Sequence, residues 1–490
     1  MNHMLMRSAL AVALTSAFSA NIALADDDFN GFGHKKDFGA MVEHLLNAQS
    51  EKLFGFDKPL KESAPATTGA YRTLDQKALD QVLVAKGLKV EYLTRSAANT
   101  TDMMAFFPVE KPTHLISCIE GSRTEIAPGK LSPSVQSINL MTGQVETILR
   151  GMSGCDGIRA TPWGTILATE EKTDGGAYEI LDPLHVSNQV VLSRSTGEVT
   201  DPMHIAKRTA LPTMAWEGLA VLPSGVVIAG DELRPGSAAA DVDGGAIFKF
   251  VPQTPRTGND KIANLADSPL AFGFVYAMQV SCVNNKQQVG QGCEIGNAAW
   301  VPVNAATARI DADLKGATGF YRPEDLHQDP MYADAANPEA VRVCWTNTGN
   351  EDSGNYAEVM CGVDNEPLIA DTAKRTVVVN RFVEGDADFN SFDNLDFQPK
   401  TGNLYVIEDH PNGDIFACLP DGADRDIKTD GCVKMLSVKD SSAEPTGFIF
   451  SADGSTAYVS IQHSDDTNMP KVDDYGTDDI IKITGFKVKK

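Results

Sequence analysis

Pairs of acidic residues recur at one position in three similar segments of the chain. The segments read TPWGTILATEE (161–171), LPSGVVIAGDE (222–232) and PKTGNLYVIED (399–409), each with a turn glycine followed by an apolar run. The acids that close them are Glu170 with Glu171, Asp231 with Glu232, and Glu408 with Asp409. Carboxylates gathered in a confined site raise one another's pKa and need cations for neutralisation. Because calcium accepts many oxygen ligands in irregular cages, the pattern predicts a calcium site if these segments converge.

Weaker copies of the same unit extend the repeat. EPTGFIFSADGSTAYVSIQH (444–463) has its turn at Gly454, while Glu324-Asp325-Leu326 opens a looser copy that ends with VRVCWTNTG (341–349). A sixth candidate, PTHLISCIEGS, ends near Glu120. Short apolar strands between Gly, Pro and Asp turns are β patterning, and a repeated supersecondary unit is typical of propellers. We therefore predict an all-β fold, a six-bladed β-propeller. A pair of β-sandwiches is the alternative, but it does not require acids at a fixed offset.

The elements outside the repeat lie at the N-terminus. Helical periodicity is confined to 39–53 and 74–87, so residues 26–89 are predicted to form a partly helical extension and linker, with the propeller domain at 90–490. Residues 1–25 have the pattern of a signal peptide, with Arg7, an apolar segment and the cleavage sequence Ala23-Leu24-Ala25. The mature protein is therefore expected to be periplasmic or secreted. No later segment approaches membrane-spanning length.

A second group with chemical potential is the turn around Arg322. Pro323 fixes the backbone between the Arg322 guanidinium and the carboxylates of Glu324 and Asp325. Arginine binds phosphate or carboxylate oxygens in a bidentate manner, which makes Arg322 a candidate for substrate binding. A local ion pair with a neighbouring acid is an equally good interpretation of the same residues.

Further candidates stand where the repeat strands begin and end. Glu217 and Glu444 each start a strand that leads into a repeat turn, which places them near the same opening. His410 and His463 end two repeat strands, and either binds a metal ion or bonds a neighbouring acid, the commoner fate. The sequence has no G-x-S-x-G, H-E-x-x-H, Walker A or G-x-G-x-x-G motif. If the protein is an enzyme, water activated by a metal ion is therefore the favoured nucleophile.

Charge and cysteine content narrow the class of protein. The formal net charge of −24 argues against nucleic acids and anionic membranes as partners. Eight cysteines suit an oxidising compartment, and six form local pairs, namely Cys282 with Cys293, Cys344 with Cys361, and Cys418 with Cys432. Cys118 and Cys155 remain. A disulfide between neighbouring blades is favoured for them, and a metal-bound Cys155 thiolate is the alternative. The sequence does not reveal the oligomeric state.

Four motifs together resemble the PhoX-type alkaline phosphatases over roughly residues 90–465. They are GCDGIRATPWGTILATEE, YRPEDLH, DNLDFQPKTGNLYVIEDH and EPTGFIFSADGSTAYVSIQH. The resemblance implies a six-bladed propeller and an exported enzyme that hydrolyses small phosphate monoesters, with ferric ions, calcium ions and a bridging oxo group at its axis. It also implies that Arg322 holds the substrate phosphate. The metal ligands it implies are Cys155, Glu170, Glu171, Glu217, Glu324, Glu408, Asp409 and Glu444.

Some features depart from the family pattern. The signal has a single arginine where a twin-arginine signal is expected, and Asp156 stands where a small residue is expected. Cys118 also offers Cys155 a disulfide partner, which would remove the thiolate. Two alternatives therefore stay open: a calcium-dependent lactonase, and a non-catalytic, calcium-stabilised propeller that binds another protein or a surface ligand.

Overall fold

The computed structural model describes residues 38–235, 244–258, 260–280, 294–350, 354–420 and 431–488. The predicted signal peptide and the predicted Cys282–Cys293 pair lie outside these residues. The helices are α1 (Phe38–Ala48), α2 (Ser50–Leu53), α3 (Ala78–Gln81) and α4 (Ala308–Leu314). None of these helices is long and apolar enough to cross a membrane.

Strands are far more numerous than helices in the described chain. The first fifteen are β1 (Val82–Val84), β2 (Lys89–Ala98), β3 (Thr101–Phe107), β4 (His114–Ile119), β5 (Glu125–Ala127), β6 (Lys130–Leu131), β7 (Pro133–Asn139), β8 (Val145–Arg150), β9 (Cys155–Ala160), β10 (Thr165–Glu170), β11 (Ala177–Leu181), β12 (Gln189–Ser193), β13 (Glu198–Val199), β14 (Ile205–Lys207) and β15 (Trp216–Val221). The others are β16 (Val227–Asp231), β17 (Ile247–Pro252), β18 (Gly273–Gln279), β19 (Gly296–Val303), β20 (Pro323–Gln328), β21 (Val341–Asn347), β22 (Glu358–Asp364), β23 (Val377–Glu384), β24 (Phe392–Phe397), β25 (Leu404–Glu408), β26 (Asp414–Cys418), β27 (Cys432–Val438), β28 (Glu444–Phe450), β29 (Thr456–Gln462) and β30 (Thr477–Thr484).

The described strands form six antiparallel blades around a central axis. In chain order the blades are built on β3-β4-β7-β8, β9-β10-β11-β14, β15-β16-β17-β18, β20-β21-β22-β23, β24-β25-β26-β27 and β28-β29-β30. The first strand of each blade contacts the first strand of the next, and β28 contacts β3, so the six inner strands close a ring. The predicted all-β, six-bladed propeller is confirmed.

N-terminal strands complete the last two blades. β2 pairs with β30, so strands that lie far apart in the sequence share the sixth blade and close the ring. β1, which lies within the predicted extension, pairs with β27 at the outer edge of the fifth blade. In addition, β19 pairs with both β18 and β23 and thereby joins the outer edges of blades 3 and 4.

Apolar side chains fill the spaces between blades. All four tryptophans are buried in these interfaces: Trp163, Trp216, Trp300 and Trp345. One buried ion pair, Lys249 Nζ to Asp364 Oδ2 at 2.8 Å, joins the third strands of blades 3 and 4. The predicted disulfides Cys344–Cys361 and Cys418–Cys432 form within blades 4 and 5, and Cys118–Cys155 joins blades 1 and 2.

Every inner strand departs from regular pairing near its start. In all six blades the register between the inner strand and the second strand shifts across four consecutive residues of the inner strand, as from Trp216 to Leu219 in β15. Such β-bulges re-aim a side chain and are common beside active sites. We call the second of these four residues the second position. The side chains at the second position of the blades define the candidate site.

Candidate metal centre

Five of the six blades place a carboxylate at the second position. These residues are Asp102, Asp156, Glu217, Glu324 and Asp393, and none is more than 8% exposed. We call them the acid ring. Carboxylate oxygens of Asp156 and Glu217 approach those of Glu171 within 4.8 Å, and Glu217, Glu324 and Asp393 form another group of the same dimensions. Side chains far apart in sequence therefore meet at the axis.

A second set of carboxylates borders the acid ring. Glu120, Glu171, Glu232 and Asp409 follow the ends of the second strands in blades 1, 2, 3 and 5, and Glu444 begins β28. Glu120 groups with Asp102 and Asp156 within 4.8 Å, and electrostatic interactions link Glu444 to Asp409 and Glu120. Ten carboxylates thus surround the axis in the described chain. Cationic groups that contact them include Arg322, His463 and, 3.8 Å from Glu171 Oε2, Lys172 Nζ.

The electrostatic consequence is a set of strongly raised pKa values. Burial and the neighbouring Glu120 carboxylate raise the pKa of Asp102 to about 8. Burial and the carboxylates of Glu120 and Glu232 raise the pKa of Glu171 to about 9. Burial and neighbouring acids also hold the pKa values of the remaining ring members well above their ordinary range: Asp156, Glu217, Glu324 and Asp393. Without cations, this centre retains protons near neutral pH.

The donor set suits hard cations. Asp156 Oδ1 is buried and lacks a hydrogen-bond donor, and Glu324 Oε1 has only the ion pair with Arg322 at 2.8 Å. Buried acceptors of this kind are costly unless a cation or donor satisfies them. The carboxylate oxygens form three groups that share members, and within each group they lie within 4.8 Å of one another. Carboxylate oxygens are the ligands that calcium prefers. The residues therefore fit a hard, oxygen-binding metal ion.

Cys155 does not contribute a thiolate. Its sulfur is bonded to that of Cys118 at 2.07 Å, and both side chains are fully buried. The disulfide therefore contradicts the expectation of a Cys155–metal bond, and the structure agrees with the alternative that the cysteine count favoured. At this point of the ring only carboxylate oxygens remain that could hold a metal ion, and an iron–thiolate bond does not fit this chain.

The first acid of each predicted pair has a different role from the second. Glu170 accepts hydrogen bonds from the backbone N–H groups of Ser153 (3.0 Å) and Gly176 (3.1 Å) and pairs with Arg194 (2.7 Å). Asp231 binds Ala215 N and Arg309 in the same way, and Glu408 binds Asn390 N, Asp414 N and His410. In each case the carboxylate holds the segment just before an inner strand.

The prediction that all the acids among the predicted metal ligands meet at one site was therefore wrong for two of them. Glu170 and Glu408 are not among the ten carboxylates around the axis, because backbone donors and cationic side chains already satisfy their oxygens. The structure does bring together the other predicted acids: Glu171, Glu217, Glu324, Asp409 and Glu444. Their role as metal ligands stays a prediction.

Arg322 stands inside the carboxylate cluster rather than beside it. Its Nε donates to Glu232 Oε1 at 2.6 Å, and its Nη2 and Nη1 lie 2.8 Å from Glu324 Oε1 and 3.3 Å from Asp409 Oδ2. Although burial opposes the charge, these three carboxylates raise the pKa of Arg322. Its backbone has φ +55°, a left-handed conformation that is unfavourable for a residue with a side chain. Such local strain is typical of functional sites.

The two histidines at the strand ends each pair with an acid. His463 Nε2 lies 3.2 Å from Glu444 Oε1, and His410 Nε2 lies 3.3 Å from Glu408 Oε2. These contacts raise the pKa of each imidazole to about 9. Both residues therefore follow the commoner of the two predicted fates, although His463 also lies at the border of the centre through Glu444.

Sequence reasoning missed several members of the centre. Asp102, Glu120 and Asp393 are not among the predicted ligands, Glu232 appears only as the second acid of a repeat pair, and Asp156 only as a departure from the family pattern. A signal for Asp393 existed, because it corresponds to Asp156 and Glu217, but the connection between β24 and β25 is longer than its counterparts. A fixed offset from the turn glycine therefore points to Asn394, one residue too late.

Comparison with known proteins identifies the family. Residues 122–465, more than two thirds of the chain, match the family described as Alkaline phosphatase PhoX. The chain belongs to the PhoX alkaline phosphatase family. This agrees with the resemblance seen in the four motifs. No match was found among the curated proteins.

Several solved structures are similar to this chain at low sequence identity. The PQQ-bound aldose sugar dehydrogenase from Streptomyces coelicolor is 12% identical, with 82% of this chain and 99% of that chain covered and a TM-score of 0.40. The pyranose dehydrogenase PQQ domain from Coprinopsis cinerea is 12% identical, with 86% and 98% covered and a TM-score of 0.37. The WD40 β-propeller domain of Doa1 is 8% identical, with 80% and 96% covered and a TM-score of 0.39.

Proposed function

We propose that the protein is an exported phosphatase of the PhoX type that hydrolyses small phosphate monoesters at the propeller axis. The observation that carries the proposal is the excess of carboxylates in a family of alkaline phosphatases. Ten acids and one guanidinium cannot all be ionised in a buried site without further positive charge. Bound cations supply that charge, and a surplus of cationic charge attracts a phosphate dianion.

Calcium is the cation that the donor set favours. The proposed ligands come from all six blades, so the cage is irregular, which calcium tolerates better than magnesium does. Ferric ion, which the family resemblance implies, would here have carboxylate ligands only. The residues proposed to hold metal ions are Asp102, Glu120, Asp156, Glu171, Glu217, Glu324, Asp393, Asp409 and Glu444. When bound, the metal ions would neutralise phosphate charge and lower the pKa of water.

Arg322 is proposed to bind the phosphate. Each of its terminal nitrogens contacts one carboxylate and carries a second hydrogen, so a phosphate oxygen can be bound while Glu324 and Asp409 keep the guanidinium in place. The contact to Glu232 at 2.6 Å fixes the plane of the guanidinium. Arg322 is therefore positioned before substrate arrives, which favours stabilisation of charge in the transition state.

Export is supported by the disulfides. Three form among the described cysteines, and disulfides persist mainly in oxidising compartments. The signal-peptide pattern of residues 1–25 points the same way. Mass spectrometry of protein from the periplasm or medium tests this part, since the mature chain should begin near Asp26.

The activity is tested with p-nitrophenyl phosphate. Protein treated with EGTA should be inactive and should regain phosphatase activity with calcium, with or without ferric ion. The Glu217→Gln variant removes a ring carboxylate and should lose activity, whereas Asp364→Asn, at a buried ion pair on the third strands, should retain it. Absence of phosphate release from the metal-loaded protein, with turnover of a lactone instead, would reject the phosphatase proposal.

A further inference from the structure

A network of polar side chains lies beside the acid ring, with Asp325 at its centre. Asp325 directly follows Glu324 and is buried. Its Oδ1 accepts a hydrogen bond from Arg159 Nη2 at 2.8 Å, and its Oδ2 accepts one from the backbone N–H of Leu395 at 3.2 Å. His327 Nε2 lies 3.2 Å from the same Oδ2. One carboxylate thus contacts blades 2, 4 and 5.

The hydrogen bond from Leu395 to Asp325 joins the two strands that carry the neighbouring ring acids Glu324 and Asp393. Glu324 and Asp393 occupy the second positions of β20 and β24, and Leu395 is two residues beyond Asp393. Because Asp325 is adjacent to Glu324, its bond to Leu395 contributes to the offset of the two inner strands along the axis, together with the bonds from Thr346 and Thr348 to the backbone of β24. That offset decides whether the carboxylates of Glu324 and Asp393 come within 4.8 Å of each other and of Glu217.

The contact with Arg159 extends the connection to blade 2. Arg159 is three residues beyond Asp156, and its Nη2 also donates to Leu326 O at 3.1 Å. Blade 3 packs closely against the same segment, because a Cβ on Gly218 would lie 1.8 Å from Leu326 N and 2.3 Å from Asp325 Cα. The glycine is therefore required for the approach of β15 to β20. The result is a fixed spacing of blades 2, 3 and 4 at the level of the ring.

The network continues to the last blade. His327 Nδ1 lies 3.5 Å from Asp396 Oδ1, and Asp396 Oδ2 accepts a hydrogen bond from Phe450 N at 2.7 Å. Phe450 ends β28 of the sixth blade. The polar chain Arg159–Asp325–His327–Asp396 therefore connects four blades next to the residues that are proposed to hold cations.

We propose that Asp325 is a positioning residue of the cation centre, which it serves through Arg159 and Leu395 without binding the cation. Both of its oxygens are engaged by donors, so it has no free lone-pair direction toward the ring comparable to that of Asp156 Oδ1. The inference rests on the cation centre of the proposed function. Partners behind metal ligands orient the ligands, and their loss commonly weakens metal binding about 10- to 100-fold.

The test compares Asp325→Asn with a matched control. Asp364→Asn also neutralises a buried acid paired with a cationic side chain, here Lys249, but on the third strands of blades 3 and 4. Calcium affinity is measured by calorimetry on EGTA-treated protein, and the midpoint of thermal unfolding is measured without calcium. Asp325→Asn should bind calcium at least about tenfold more weakly, with kcat reduced and KM little changed. Asp364→Asn should keep the parental affinity even if its midpoint falls equally.

Other outcomes overturn the inference. Parental calcium affinity in Asp325→Asn, or an equal loss of affinity in Asp364→Asn, would show that Asp325 only contributes to stability. If Asp325→Asn does not fold, Arg159→Gln serves in its place, since the Arg159 side chain is partly exposed, and an unchanged calcium affinity there would overturn the proposal.

The phosphatase assay is independent of this measurement. A parent protein that binds calcium, loses affinity on Asp325→Asn and never releases phosphate would reject the proposed function while the positioning role stands. A parent protein that binds neither calcium nor ferric ion would overturn the positioning role.

Discussion

Glu170 and Glu171, adjacent acids of one repeat, should respond differently when each is replaced by glutamine. Glu170 binds backbone groups and Arg194, whereas Glu171 belongs to the carboxylate cluster. We expect Glu170→Gln to lower the free energy of unfolding with or without calcium. We expect Glu171→Gln to leave the calcium-free protein almost unchanged and to weaken calcium binding. The pair tests whether structure and cation binding are divided between the two residues.

The magnitude for Glu170→Gln follows from its contacts. In glutamine an NH2 group replaces one of the two carboxylate oxygens. Whichever oxygen is replaced, one backbone N–H and one Arg194 N–H then face this NH2 group and lose their acceptor. Hydrogen bonds to charged groups each contribute about 1.5–3 kcal/mol. Arg194 keeps its contact with Asp174 at 2.9 Å and is partly exposed, which reduces the loss. We therefore expect a decrease of about 2–3 kcal/mol in the free energy of unfolding.

The magnitude for Glu171→Gln follows from its protonation. Because its pKa is raised to about 9, the side chain is mainly protonated at pH 7 in the absence of cations, and glutamine is a close substitute for the neutral acid. The calcium-free stability should change by less than about 0.5 kcal/mol. With calcium, a lost ligand should weaken affinity at least about tenfold, which removes about 1.4 kcal/mol of calcium-dependent stabilisation.

The assay is urea unfolding followed by tryptophan fluorescence, in EGTA and in calcium. All four tryptophans are buried between blades, so their emission reports loss of the propeller. The reasoning is refuted if Glu171→Gln destabilises the EGTA-treated protein as much as Glu170→Gln does. It is also refuted if Glu170→Gln acts only on the calcium-dependent part.

Three other predictions concern protons, the guanidinium and the disulfide. The raised pKa values of Asp102 and Glu171 mean that the folded, calcium-free protein holds more protons than the unfolded chain, so thermal stability in EGTA should fall as pH rises from about 4.5 to 9. Saturating calcium should abolish this trend, and a rise in stability over that range would contradict it. Arg322→Lys keeps the charge but loses the planar fork, so kcat for p-nitrophenyl phosphate should fall about 100-fold with calcium content unchanged. Loss of calcium instead would assign Arg322 a structural role. Replacing Cys118 and Cys155 by alanine opens a loop of 37 residues and should cost about 3–4 kcal/mol in urea unfolding. Metal loss without that cost would favour the thiolate interpretation.

The fold could be predicted because its signal is repeated. Each blade contributes a turn and apolar strands at similar spacing, so several weak matches support one another across the chain. The ring also explains why acids on different repeats converge. Pairings such as β2 with β30 were not predictable, because they join segments that are far apart in the sequence and carry no repeat signal.

The site could be predicted only in part because strand alternation divides each acid pair. Glu170 and Glu171 are neighbours in sequence, but successive side chains of a strand point to opposite faces. One therefore meets Arg194 and loop backbone, and the other meets Glu217. The sequence shows that both are acidic but does not show which face is turned to the axis. The β-bulge in each inner strand also shifts its register with the second strand, and the sequence gives no sign of that shift.

The sixth blade shows how the repeat is modified to complete the centre. Its second position is Gly447, where a Cβ would lie 2.4 Å from Asp102 O, so an acid cannot fit there without displacing β3. Thr446 Oγ1 instead lies within hydrogen-bonding distance of Asp102 Oδ1 at 2.6 Å and Asn394 Oδ1 at 2.7 Å. Beside its second position, blade 6 thus offers hydrogen bonds from a neutral side chain, whereas each of the other five blades places a carboxylate at that position; the acid of blade 6, Glu444, stands instead at the start of β28. This break in symmetry lets β3 approach the sixth blade closely and gives the Asp102 carboxyl a hydrogen-bond partner.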